Sequence, residues 1–250
     1  MQLSRRHALM GFVTGLATVS LDWLLGTAPA SAADGTCVLW PQLDEGPYYF
    51  DTKLVRADIT EGRPGAPLKL NLLVVESGPC KPMAGIRVDV WHADAGGIYS
   101  GYSGQGDKRD TSTTGEKYLR GTQVTDASGA VVFNTIYPGW YPGRTPHIHV
   151  KAFLADKMVV TGQAFFPDEF SAKVYREKAP YSVRPVPDTT NKTDGIYQDG
   201  QTEGGGTVLA MAEEVGVIQA RLTISIDQTG DTAGKAEGWG HYFMRLLGRA

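Results

Sequence analysis

Residues 86–92 have the sequence IRVDVWH, in which Ile86, Val88 and Val90 alternate with polar or larger side chains. Successive side chains of a β-strand point to opposite faces, so this alternation predicts a strand with one face in an apolar core. Similar patterns predict strands at residues 68–76, 121–125, 131–135, 147–154 and 158–166, and two more within 207–225. Many short strands and few helix signals indicate an all-β fold, an antiparallel β-sandwich with long irregular loops and little helix.

Turn-forming residues separate these segments, since the chain contains 31 glycines and 14 prolines. Residues 126–129 (DASG) predict a hairpin turn between the third and fourth strands. Residues 170–191 are expected to be irregular with one short helical turn, and residues 242–247 to be helical.

The N-terminal residues have the features of an export signal. Arg5 and Arg6 form a twin-arginine pattern, a mostly apolar stretch follows, and Ala30-Ser31-Ala32 offers small residues for cleavage. We therefore expect residues 1–32 to be a twin-arginine signal peptide and residues 33–250 a single domain, exported to the periplasm or the extracellular space. Cleavage would leave no segment for stable membrane insertion. The alternative is an uncleaved amphipathic anchor.

Charge and cysteine content bear on partners and compartment. The formal net charge is −3 and no block of Lys or Arg stands out, so the sequence does not favour a nucleic-acid partner. The two cysteines are Cys37 and Cys80. An oxidising compartment would permit a disulfide between them, and two unpaired thiols are the alternative. A monomer and a homodimer both fit the sequence.

His147 and His149 are two residues apart on the predicted strand at 147–154, so both imidazoles project from one face. Neutral imidazole is the commonest metal ligand in proteins, and this spacing is typical of a metal site. The pattern suits equally well two strand histidines that are satisfied by local hydrogen bonds. The two residues alone leave both interpretations open.

The loop before this strand carries two further candidates, Tyr141 and Arg144. Three prolines fix φ and stiffen the loop, which can therefore hold Tyr141 near the same metal. A tyrosine phenolate is a hard anionic oxygen donor and suits iron(III). Tyr99 follows two glycines that let the backbone turn sharply at the end of a strand. The plainer interpretations are that Tyr141 is a packing residue, that Arg144 is a solvated surface charge and that Tyr99 is a turn residue.

Two segments together indicate a family. VDVWHADAGGIYS (88–100) and PGWYPGRTPHIHV (138–150) resemble the intradiol ring-cleavage dioxygenases, which include the protocatechuate 3,4-dioxygenases and the catechol 1,2-dioxygenases. EGPYY (45–49) and TGQAFF (161–166) extend the resemblance, which covers roughly residues 37–200. Each of the two main segments is moderately specific, and the pair is highly specific.

The resemblance implies a metal and its ligands. Tyr99, Tyr141, His147 and His149 match the positions that bind a non-haem iron(III), Fe(3+), in the family. Tyr141 matches the axial ligand that leaves the iron when substrate binds. The implied reaction is intradiol cleavage of a catechol-type ring by O2, which gives a cis,cis-muconate-type product.

The resemblance also implies roles around the metal. Arg144 matches the arginine that stabilises negative charge on the substrate ring, and Gln163 matches the active-site glutamine. The substrate pocket would be lined by Gly46, Pro47, Tyr48 and Ile98. Ile98 is a departure, because the protocatechuate β chain would have a basic residue there.

Other departures concern substrate and assembly. The stretch between Tyr141 and His147 is shorter than in the protocatechuate enzymes, and the long N-terminal helical region of the catechol enzymes is missing. The export signal and the cysteine pair resemble those of a secreted branch of the family. A non-catalytic secreted β-sandwich binding module is the main alternative function. A zinc hydrolase is a second alternative, which would need a third histidine or a carboxylate ligand.

Overall fold

The computed structural model of the protein describes residues 36–229, in which the chain forms eight strands and two α-helices. The predicted signal peptide and the predicted helix at 242–247 lie outside these residues. The strands are, in chain order, β1 (Pro67–Glu76), β2 (Arg87–Trp91), β3 (Arg120–Val124), β4 (Ala130–Ile136), β5 (His147–Leu154), β6 (Lys157–Phe165), β7 (Ala210–Glu214) and β8 (Val217–Ile226).

The strands form two four-stranded sheets. The first sheet has the order β4-β1-β8-β7 and the second has the order β3-β2-β5-β6. The prediction of an all-β sandwich with little helix is confirmed. The expectation that all strand pairs are antiparallel is wrong for β1 and β8, which pair in parallel. The chain passes through the whole second sheet between these two strands, so no local turn fixes their relative direction.

Alternation along the strands places the core between the sheets. In β1 the even-numbered residues from Leu68 to Val74 are almost fully buried. On β2 the inward side chains are Val88 and Val90, which belong to the same apolar cluster as the β1 residues. The odd-numbered residues of β2 and β5 therefore point away from this core, toward the outer face of the second sheet.

The turn at 126–129 does not join paired strands as predicted. It forms, since Asp126 Oδ1 accepts hydrogen bonds from the backbone N–H groups of Ser128 (2.8 Å) and Ala130 (3.0 Å). However, β3 belongs to the second sheet and β4 to the first, so the turn carries the chain from one sheet to the other. The local chemistry of the turn is the same whether or not the flanking strands pair, and it cannot select their partners.

Helix content was underestimated between residues 168 and 202. The segment contains α1 (Asp168–Glu177), a 3₁₀ helix (Tyr181–Val183) and α2 (Gly195–Thr202). Asp194 caps α2 by accepting a hydrogen bond from the Tyr197 N–H. Within residues 36–229 no helix combines the length and the apolar character that a membrane crossing requires.

Cys37 and Cys80 form a disulfide, which is the first of the two alternatives left open by the sequence. Cys37 also pairs with Gly78 through two backbone hydrogen bonds, of 2.8 and 3.2 Å. The chain from residue 37 to residue 56 is thereby anchored at its start next to β1. We call this segment, residues 37–56, the N-terminal arm.

His92 is a buried histidine of the core, and it predicts acid sensitivity. Its Nδ1–H donates to the Ala93 carbonyl (2.8 Å), so Nε2 accepts from the Thr135 hydroxyl (2.7 Å). Burial lowers the pKa of His92 to about 4 from an ordinary 6.5. The unfolded chain therefore binds an extra proton between these pH values, and the folded state loses about 3 kcal/mol as pH falls through this window.

We expect His92→Gln to weaken this pH dependence, because glutamine does not titrate. Urea unfolding of both proteins at several pH values between about 7 and about 4 measures the effect. The free energy of unfolding should fall more steeply for the wild type than for the variant. Parallel curves would contradict the assignment.

Candidate metal centre

One rung of the second sheet organises the candidate site. Trp91 on β2 lies opposite both Arg120 on β3 and His149 on β5, and His149 lies opposite Gln163 on β6. Residues that are directly opposite in neighbouring strands point to the same face. These four side chains therefore share the outer face of the sheet, and all four are buried. Because His147 is two residues before His149, it points to the same face.

Four donor atoms converge above this rung. Tyr99 Oη lies 3.0 Å from His149 Nε2, 3.3 Å from His147 Nε2 and 3.5 Å from Tyr141 Oη. Tyr141 Oη lies 3.1 Å from His147 Nε2, and the two histidine Nε2 atoms are 3.2 Å apart. The structure thus brings together all four residues that the sequence assigned as metal ligands.

Hydrogen bonds alone do not account for this cluster. His147 Nδ1 lies 2.7 Å from the Thr145 carbonyl, which can only accept, so Nδ1 carries the proton and Nε2 presents a lone pair. Two phenols and the imidazole of His149 then offer at most three hydrogens for five close contacts. Ligand atoms about 2.0–2.1 Å from a metal, at angles of about 90–120°, lie about 2.9–3.6 Å apart, which matches the observed spacing. The donor set therefore fits a metal ion.

The tyrosines are necessary for this ligand set. Among residues 36–229, no group of three or more His, Cys, Asp or Glu side chains is placed to hold a metal. Two imidazoles and two phenols provide two neutral nitrogen donors and two oxygen donors that become anionic on deprotonation. A ligand set with two anionic oxygens favours a hard, highly charged cation such as iron(III) over zinc.

Burial determines the protonation of the four candidate ligands. It raises the pKa of Tyr99 and Tyr141, and it lowers the pKa of both histidines, which remain neutral with free lone pairs. The positive charge of Arg144 opposes the rise in the pKa of both tyrosines. A bound cation would act in the same direction and more strongly, since metal ions deprotonate their ligands.

The two tyrosine loops are held against each other by their backbones. Gly97, two residues before Tyr99, has φ +80° and a Cβ there would lie 2.1 Å from the Trp140 carbonyl oxygen. Only glycine can therefore occupy this position without displacing the loop that carries Tyr141. This close approach explains the second of the two glycines before Tyr99.

Arg144 is aimed at the site by three groups. Its Nε donates to Asp194 Oδ2 (2.8 Å), its Nη2 donates to Gln163 Oε1, and its Nη1 lies 3.5 Å from Tyr141 Oη. Gln163 in turn donates to the Asp44 carbonyl (2.7 Å). Arg144 is 8% exposed, so the surface interpretation of this residue is wrong.

The N-terminal arm covers the outer face of the second sheet. A Cβ on Gly46 would lie 3.3 Å from His149 Cε1. The ring of Tyr48 packs against the ring of Tyr99, with the ring centroids 4.7 Å apart. Pro47, between them, is exposed. Ile98 is half-buried beside Gly106 and is not part of the aromatic cluster around Tyr99. Of the four predicted pocket residues, Gly46 and Tyr48 therefore lie against the candidate ligands His149 and Tyr99.

Sequence reasoning missed two supporting residues. Asp194 is fully buried and its Oδ2 also accepts from the Thr145 N–H (2.9 Å), so it fixes the loop that leads into β5. Its N-cap position before α2 was the available signal, but that helix was not predicted. Trp91 stacks on the His149 ring, with the ring centroids 4.7 Å apart and an interplanar angle of 7°. This contact depends on the register of β2 and β5.

Comparisons with known proteins find similar sequences and similar folds. A family model described as Dioxygenase matches residues 44–172. An intradiol ring-cleavage dioxygenase from Tetranychus urticae has a similar structure, with a TM-score of 0.68 and 32% identity over 76% of this chain and 95% of that one. The dioxygenase domain of a dioxygenase–carbohydrate-binding protein fusion from Streptomyces sp. SirexAA-E has a TM-score of 0.55 and 27% identity, and covers 76% of this chain and 98% of that one.

A curated relative is similar in sequence over a shorter length. Catechol 1,2-dioxygenase 1 from Acinetobacter lwoffii is 33% identical over 118 residues, which are 45% of this chain and 35% of the relative. The match thus spans about a third of that protein. The matched family model includes the segments that carry the four donor residues. The chain belongs to the intradiol ring-cleavage dioxygenase family.

Proposed function

We propose that the protein is a non-haem iron(III) dioxygenase that opens a catechol-type ring between its two hydroxyl-bearing carbons and gives a cis,cis-muconate-type product. The single observation that carries the proposal is the convergence of Tyr99, Tyr141, His147 and His149 beside the buried Arg144. Catechol and O2 together contain all the atoms of the muconic acid formed, so no further reductant is needed.

Iron(III) held by these four side chains would supply Lewis acidity toward the two substrate oxygens and accept electron density from the ring. The remaining roles belong to the protein. Tyr141 is the less buried of the two tyrosines, and its Oη is the atom that would take up a proton from a substrate hydroxyl. Arg144 lies close enough to this oxygen to oppose negative charge on the substrate, which is a preorganised electrostatic role.

The arm and Gln163 complete the substrate site. Gly46 leaves room above His149, and Tyr48 provides an aromatic wall beside Tyr99. Gln163 Oε1 accepts a hydrogen bond from Arg144 Nη2, and Gln163 Nε2 donates one to the Asp44 carbonyl. These two bonds keep the guanidinium turned toward the site. Burial of these groups keeps water from competing with the electrostatic interactions inside.

The proposal is tested by iron analysis and visible spectroscopy of the mature protein, before and after addition of catechol under air. Tyrosinate bound to iron(III) should colour the protein, and catechol should shift this absorption before muconate appears. Tyr99→Phe should lose or strongly alter the colour. Tyr118→Phe is the matched control, because the buried Tyr118 hydroxyl has no hydrogen-bond partner within residues 36–229.

Two outcomes would overturn the assignment. A colourless protein that takes up no iron(III) on reconstitution would favour the binding-module alternative. Hydrolytic activity with zinc and no ring cleavage with iron would favour the zinc hydrolase.

We further propose that the protein is exported through its twin-arginine signal. The Cys37–Cys80 disulfide supports this location, since disulfides persist in oxidising compartments. Replacement of Arg5 and Arg6 by lysine is expected to retain the protein in the cytoplasm. Cell fractionation measures this, and unchanged export of the variant would contradict the proposal.

A further inference from the structure

Arg120 is a buried cation beside the candidate metal centre. It is 2% exposed and lies opposite Trp91 on the rung that carries His149. Its guanidinium donates hydrogen bonds only to carbonyl and hydroxyl oxygens, and within residues 36–229 it forms no ion pair. Burial lowers the pKa of Arg120 to about 10. An arginine that is buried without an anion is costly, so its hydrogen bonds must offset this cost.

These hydrogen bonds join two segments of the site. Nη1 donates to the Tyr48 carbonyl (2.6 Å), which belongs to the N-terminal arm. Nε donates to Ser100 Oγ (2.8 Å) and Nη2 to the Ser100 carbonyl (2.8 Å), next to the ligand Tyr99. Because the guanidinium is planar and rigid, it fixes the distance between the arm and the Tyr99 loop.

The side chains on both sides of this link face the substrate site. Tyr48 packs on Tyr99, and the arm residue Gly46 lies over His149. Phe50 covers the outer side of the guanidinium, with Arg120 Cζ 4.4 Å from the ring centroid. The arm is thus held at Tyr48 by a hydrogen bond and at Phe50 by a cation–π contact, both from one residue.

We propose that Arg120 is a positioning residue that clamps the N-terminal arm to the ligand loop and so sets the width of the substrate pocket. The inference rests on the proposed function for the identity of the substrate, but the clamp itself does not require iron. Loss of the clamp should loosen the arm and weaken substrate binding more than it slows turnover.

The test compares Arg120→Met and Arg120→Lys with the wild type. The control is Arg221→Met, since Arg221 is an exposed arginine of β8 in the first sheet and lies outside the N-terminal arm. Hydrogen exchange of residues 46–50 in the purified protein measures arm opening. Titration with 4-nitrocatechol and steady-state kinetics measure substrate Kd, KM and kcat.

In Arg120→Met we expect about tenfold faster exchange of the arm and about a tenfold rise in Kd and KM. The kcat should change by no more than about threefold, and iron content should be unchanged. Arg120→Lys keeps the charge but cannot reproduce the planar set of N–H donors of the guanidinium, so it should not restore wild-type exchange or Kd. Arg221→Met should match the wild type in both measurements.

Arm exchange and Kd within about twofold of wild type in both Arg120 variants would overturn the proposal. Should Arg120→Met fail to fold, Arg120→Lys alone decides, and wild-type behaviour of that variant would assign the residue a charge role and exclude the clamp. Exchange does not depend on catalysis. Faster exchange in a protein that neither binds iron nor cleaves catechol would support the clamp and refute the proposed function.

Discussion

His149→Ala is expected to abolish iron binding and, with it, ring cleavage. The substitution removes one of four donors, whose Nε2 lies 3.0 Å from Tyr99 Oη and 3.2 Å from His147 Nε2. Changes outside the ligands alone cost about 10–100-fold in metal affinity, so loss of a ligand should lower iron affinity by about 100-fold or more. It also removes the ring on which Trp91 stacks.

Iron content per chain and visible absorbance measure this effect, and circular dichroism shows whether the fold is retained. His92→Gln is the control, because His92 is equally buried but its ring nitrogens are bonded to Ala93 and Thr135. That variant should keep both iron and colour. If His149→Ala binds iron as fully as the wild type with the same spectrum, the ligand assignment is wrong.

Asp194→Asn is expected to lower kcat/KM by about 100-fold without loss of iron. Asp194 Oδ2 accepts from both Arg144 Nε and the Thr145 N–H, and its Oδ1 caps α2. Its carboxylate is the partner of a buried cation, and breaking such a pair costs about 3–5 kcal/mol of stability. Without it the guanidinium is free to move away from the substrate ring, which removes a preorganised charge worth about 100-fold in rate.

The matched control is Asp188→Asn, which changes an exposed aspartate whose Oδ1 accepts from the Gly143 N–H of the same loop. Kinetics, urea unfolding and iron content should be compared for both variants. A small effect of Asp194→Asn on kcat/KM, equal to that of Asp188→Asn, would show that Arg144 is oriented without its buried partner.

The sequence predicted those parts of the site that depend on local periodicity. The alternation in HIHVKAFL gave both bounds of β5, and it placed His147 and His149 on one face. The convergence of Tyr99 and Tyr141 on these histidines was expected only through the resemblance, because two loops from distant parts of the chain must meet. Local patterns contain no information on such a meeting.

The remaining features depend on which strands become neighbours. The Arg120–Trp91–His149–Gln163 rung requires the registers of three strand pairs, none of which is fixed by a short turn except that of β5 and β6. The connection from β3 to β4 shows the same limit, since the turn was predicted but the strands with which β3 and β4 pair were not. Asp194 was missed because its role in the site depends on a hydrogen bond with Arg144, which is 50 residues away in the sequence.

The position of β8 has a consequence for synthesis of the protein. β8 pairs with β1 over Leu68–Glu76, although about 150 residues separate the two strands. Pairings at this sequence distance form late and slow folding. Until the ribosome has released residues 217–226, an apolar edge of β1 has no neighbour on that side, and such edges invite association with other chains. A nascent chain that is stalled or truncated before residue 217 should therefore need chaperone protection, whereas the finished chain should not.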